Sequence, residues 1–159
     1  MSVVNWLTGI DLERYVARNG TIQTQISFLG VFAVDTLPPH IPFHEPNLLI
    51  VNSDTANLPG KHWRAIFISV GNQYGEVFDS LAAPVSCLLE KWMNGHTMRW
   101  TCSDTPIQHS LSPSCGAFAL HFVMHRLVES NLHNYTLHYF TAEERRNETF
   151  ILNFVRQLK

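Results

Sequence analysis

The sequence predicts an α+β domain, with an antiparallel β-sheet packed against one central helix. Three observations lead there. Residues 115–129 open with CGAFALHFVMH, which is apolar on nearly every side and so reads as a helix enclosed all round. Short β-branched and aromatic runs (NLLIVN, HWRAIFISV, EVFDS) alternate with turn residues, the mark of strands. The chain closes on TAEERRNETFILNFVRQLK, where Ile151, Phe154, Val155 and Leu158 recur on one helical face. With 159 residues and no repeat or linker, the chain is one domain, 1–159, long enough for a core.

The elements follow in order. LTGIDLERYVARNG predicts a helix with Thr8 as N-cap, Ile10, Leu12, Tyr15 and Val16 on one face, and Gly20 as stop. QISFLGVFAV predicts a strand broken at Gly30. DTLPPHIPFHEP is proline-rich and predicts a loop. NLLIVN predicts a buried strand, and HWRAIFISV and EVFDS a hairpin turning through GNQYG around Asn72. APVSCLLEKWMNG predicts a helix with Pro84 in its first turn and Gly95 past its end. HTMRWTC alternates as a strand, SDTPIQHSLSPS is a polar loop, and Thr141 with Glu144 has capping-box spacing before the last helix.

Composition narrows the function. Apolar content of 45% is ordinary, whereas 15% charged residues is low. A net charge of −2 gives no basic field for nucleic acid. Three cysteines, Cys87, Cys102 and Cys115, are an odd number and do not read as a disulfide framework, which points to a reducing, intracellular compartment. MSVVNWLTGIDLERYV lacks a basic flank and gains charge too early for a secretory signal. No apolar run is long enough to span a bilayer, so no membrane partner is expected.

Cys115 carries the chemical interest. A free cysteine beside apolar residues is usually a small core residue; Cys87 takes that reading in full, and Cys102 reads as a strand residue. Cys115, however, falls in the first turn of its helix after Pro113. Unpaired N–H groups there carry partial positive charge and favour a thiolate. Gly116 removes a side chain beside the sulfur and gives a substrate carbonyl room. A thiolate needs a base and an orienting group. His62 opens one strand of the predicted hairpin and Asp79 ends the other, so pairing brings both to one end. An acid there accepts from one imidazole nitrogen and leaves the other for the thiol. Gln108, in the loop before Cys115, offers an amide donor to an oxyanion. Each residue also has a plain structural reading: a strand-end histidine, a turn aspartate, a solvated glutamine. His121 and His125 share a helix face, but Phe122 follows His121, a zincin glutamate is missing and no third ligand stands out, so no metal is expected.

HW at 62–63, VFDSLA at 77–82, Gln108 and SCGAFAL at 114–120 together resemble the adenovirus maturation protease (adenain) family and its wider kin, the ubiquitin-like-modifier proteases. The order His, acid, Gln, Cys is that group's. FLGVF at 28–32, LLIVN at 48–52 and RRNETFILNF at 145–154 are similar to further segments of the family. The resemblance implies a cysteine endopeptidase with Cys115 as nucleophile, His62 as base, Asp79 as orienting acid and Gln108 as oxyanion donor. It implies cleavage of precursor proteins at glycine-containing sites, with Trp63 walling a narrow channel, and a place in virion maturation in the host nucleus. No cofactor is implied for the chemistry; a viral peptide and DNA are the implied activators. Asp79 departs from adenain's glutamate and matches the acid of the modifier proteases. Two alternatives stand beside this one: a ubiquitin-like-modifier-specific protease, and a protease-like binding module without activity.

Overall fold

The computed structural model describes residues 7–158; residues 1–6, where the secretory-signal reading begins, lie outside them. Thr8 caps helix α1 (Gly9–Asn19) in a full capping box with Asp11, and the chain leaves the helix at Gly20. Leu12 and Val16 are the buried residues of its inner face. A short helix, α2 (Ile22–Ser27), then runs directly into β1 (Phe28–Ala33). Its β-branched sequence reads as strand, yet Thr21 accepts from the Thr24 N–H and starts a helical turn. Gly30 has φ +132°, and the β1 register shifts there, a bulge only glycine accommodates easily.

Strands β2 (Asn47–Asn52), β3 (Trp63–Ile68), β4 (Tyr74–Phe78) and β5 (Arg99–Cys102) complete a sheet ordered β1-β2-β3-β4-β5. The sheet is mixed, not purely antiparallel. Its centre, β2-β3-β4, is antiparallel, whereas β1 pairs parallel with β2 and β5 parallel with β4. Parallel neighbours need long crossovers. The proline-rich residues 34–46 supply one, and α3 (Cys87–His96) lies within the other. Ser86 caps α3, so the helix starts after Pro84, and Gly95 lies inside its last turn.

All six residues of β2 are buried because the sheet is covered on both faces. One face carries Leu48, Ile50, Ala65, Phe67 and Phe78 against α1 and the central helix α4 (Cys115–His125). The other carries Leu49, Val51, Ile66, Ile68 and Val77 against Leu89 and Met93 of α3. Each fully enclosed large apolar side chain is worth about 1.5–3 kcal/mol. Helix α5 (Leu132–Tyr139), which the sequence reading passes over, and α6 (Glu144–Gln157) close the α4 side. The predicted capping box at α6 does not form: Glu143 is the N-cap residue, and Asn147 Oδ1 accepts from the Thr141 N–H.

Candidate active site

α4 begins at Cys115, and no side chain caps its first turn. Its leading N–H groups therefore face the sulfur's surroundings unshielded. Behind the sulfur the helix is anchored by Ala117, Phe118, Leu120 and Phe122, all buried in the larger core. Cys115 is 3% exposed. Cys87 and Cys102 are both exposed and free, which corrects the reading of Cys87 as a core residue: it opens the first turn of α3, on the solvent side.

The β3–β4 hairpin delivers the next two side chains. Ala65 pairs with Phe78 at its open end, and one step further sets Arg64 opposite Asp79. His62 Nε2 and Asp79 Oδ1 are 2.7 Å apart. Nδ1 is then the imidazole nitrogen left for other contacts, and Cys115 lies near enough to act on His62. Burial by itself drives the imidazolium toward its neutral form. The bond to Asp79, the Cys115 sulfur and the charges of both outweigh it, and His62 is pushed up to about 9. Burial likewise raises the Asp79 carboxyl, but His62 and Arg64 reverse that and hold it below its ordinary value.

Gln108 is no solvated loop residue, being 1% exposed. Its backbone N–H and that of Ile107 both donate to Ser80 O, at 3.0 and 2.9 Å. Ser80 Oγ donates to Gln108 Oε1 at 2.5 Å, which fixes the amide so that Nε2 donates to Ser112 O at 2.7 Å. The second Nε2 hydrogen is not needed for that bond. One dipeptide, Asp79-Ser80, thus holds both His62 and Gln108. Glu148 of α6 fastens the loop between Gln108 and Cys115, accepting from Ser112 Oγ at 3.0 Å, Ser114 Oγ at 2.7 Å and the His109 N–H at 3.2 Å.

Trp63 lies against the same helix end. Its Nε1 donates to Leu7 O at 3.0 Å. A methyl group on Gly116 would meet Trp63 Cδ1 at 3.1 Å and Leu7 Cβ at 3.2 Å, so the space beside Gly116 is occupied by the chain's own side chains. A cleft of about 360 Å³ opens alongside, bordered by Leu7, Val31, Asn52, Lys61 and Trp63.

Two crystal structures of the ASFV pS273R protease match the chain. One, of the selenomethionine protein, has a TM-score of 0.50 at 22% identity, covering 68% of this chain and 44% of that one. The other has a TM-score of 0.56 at 18% identity, covering 80% and 60%. The chain shares the fold of that protease. At these identities the likeness shows the fold alone, and the chain spans about half the length of the proteases it matches. No family model and no curated protein matches the sequence.

Arg64 and Ser80 are the contacts that sequence reasoning missed. Neither carried a signal that marked it: an arginine in a strand ordinarily reads as solvent-facing, and a serine after a strand end as a turn residue. His121 and His125 are engaged elsewhere, with His121 Nδ1 2.7 Å from the Tyr135 hydroxyl, His125 Nδ1 2.9 Å from His121 O, and the rings stacked at 4.0 Å.

Proposed function

We propose that the chain is a cysteine endopeptidase in which Cys115 is the nucleophile, His62 the acid–base group, Asp79 its orienting acid and Gln108 an oxyanion donor. The observation that carries the reading is one imidazole bonded to a buried carboxylate at 2.7 Å and close enough to the sulfur at the head of α4 for that sulfur to act on it. A raised His62 favours an imidazolium at neutral pH, the charge that supports a nearby sulfur nucleophile in such chemistry. The thiolate attacks the scissile carbonyl carbon, and the carbonyl oxygen becomes an oxyanion. The backbone N–H of Cys115 and the free hydrogen of Gln108 Nε2 are suited to stabilise it. As the intermediate collapses, the C–N bond breaks, His62 gives its proton to the leaving amine, and a thioester remains. His62 then takes a proton from water, which attacks the thioester and releases the acid and the thiolate.

Trp63, held against the head of α4 by its bond to Leu7 O, is taken as a wall of a narrow channel that would favour glycine-containing sites. Likeness to a viral protease supports precursor proteins of a virus or virus-like element as substrates. Cleavage profiling with a glycine-rich peptide library, with and without DNA, tests this. The wild type should cut at glycine, and Cys115→Ala should lose a factor on the order of 10⁴ or more in turnover while keeping its melting temperature. Equal cleavage by both proteins would overturn the reading. Selective trimming of ubiquitin-like precursors would reassign the substrate and keep the chemistry.

A further inference from the structure

We propose that Arg64 is a positioning residue for this site: its guanidinium holds the Asp79 carboxylate anionic and in the one orientation that serves His62. The proposal rests on the reading of Cys115, His62 and Asp79 given above.

Asp79 is 2% exposed and Arg64 5%. A carboxylate withdrawn this far from water reverts to its neutral acid unless a cation accompanies it. His62 cannot be that cation throughout a reaction, because acid–base work requires it to give up its proton. The Arg64 guanidinium, unlike an imidazole, is not called on to give up its proton. Its Nε donates to Asp79 Oδ2 at 2.7 Å, the oxygen His62 does not use. Its Nη2 donates to Pro84 O at 3.0 Å, which anchors the guanidinium beyond the carboxylate. Oδ1 accepts from His62 Nε2 at 2.7 Å and from the Leu81 N–H at 2.8 Å. The two oxygens are divided between cation and imidazole, and the carboxylate cannot rotate without breaking these bonds. Among the described residues, the ionisable groups facing Asp79 are His62 and Arg64, and those facing His62 are Asp79 and Cys115.

Without the guanidinium, Asp79 would take up a proton more readily in acid. His62 would lose its anion, and the thiolate its imidazolium. The rate of Cys115 alkylation by iodoacetamide, read by mass spectrometry from pH 4 to 9, follows that chain of events without any substrate. In Arg64→Met the acid-side midpoint should move up by about one pH unit or more, roughly a tenfold slower reaction below the midpoint. Arg64→Lys, which keeps the charge but not the fork, should fall between Met and wild type. A residue serving packing alone would lower the melting temperature and leave the midpoint in place. Overlay of the Arg64→Met and wild-type profiles, or a lysine variant shifted as far as methionine, overturns the proposal. If Arg64→Met does not fold, Arg64→Gln takes its place with the same expectation; if neither folds, Arg64 serves the fold and the proposal is overturned. The underlying reading fails on a different signal: wild-type Cys115 titrating as an ordinary thiol near about 8.5, indifferent to His62→Ala. In that case both fall, whereas a wild-type profile that depends on His62 with no response to Arg64 sinks this inference alone.

Discussion

Gln108 makes its side-chain contacts to Ser80 and Ser112, both within the loop and strand end that flank the sulfur. Its burial leaves one amide hydrogen with a defined direction instead of a solvated rotor. Gln108→Ala should therefore lower turnover by roughly 10²–10³ if that hydrogen meets the developing oxyanion. Small-molecule alkylation of Cys115 forms no oxyanion, so its rate should stay near wild type in the same variant. Parallel measurement of peptide turnover and iodoacetamide reactivity checks the split. Two equal losses would mean the substitution disturbs the loop behind Cys115, and Gln108 would have no special place in the chemistry.

At the scale of elements, α4 carries a second feature that the site does not use. His121 is enclosed by Tyr135 and Tyr139 of α5, Phe140, and Phe150 and Phe154 of α6. Burial, with some repulsion from His125, drives His121 down to about 2; burial also lowers His125. The folded protein keeps His121 neutral, while the unfolded chain protonates it near pH 6.5, and the lowered His125 acts in the same direction. Stability is therefore full above that pH and falls as pH drops below it, by about 2 kcal/mol at pH 5 for His121 alone. His62 acts in the opposite sense: its raised value lends stability that is complete below about 6.5 and lost as pH rises toward about 9. Melting temperature should peak near pH 6.5 and decline on both sides. Thermal melts from pH 5 to 8 check this, with His121→Phe flattening the acid side; an equally steep acid side in that variant would assign the loss to other groups. The same helices mark the limits of reading sequence. Residues 115–125 are apolar all round and could only be a core helix, but LHNYTLHY of α5 buries just Leu132 and Tyr135 and gives no clear period. Thr141 and Glu144 had the spacing of a capping box, and Asn147 from the following turn took the bond instead.

Across the whole molecule, three segments far apart in sequence meet at one end of the sheet. Part of that was legible, because a hairpin through GNQYG fixes which ends of β3 and β4 are neighbours, and with them His62 and Asp79. The edge pairings were not: nothing local in FLGVFA or RWTC states that its neighbour runs parallel, which depends on where residues 34–46 and α3 return the chain. Arg64 was hidden by its own type, since an arginine in a strand reads as solvent-facing until its buried carboxylate partner is known. The same convergence gives the most direct test. Cys87 and Cys102 are exposed and Cys115 is buried, so exposure alone orders a thiol reagent toward the first two. A glycine-terminated electrophilic peptide, applied at substoichiometric concentration near neutral pH and mapped by mass spectrometry, should instead modify Cys115 first, and His62→Ala should abolish that preference. Modification of Cys87 or Cys102 ahead of Cys115 in the wild type would contradict an activated sulfur at the head of α4.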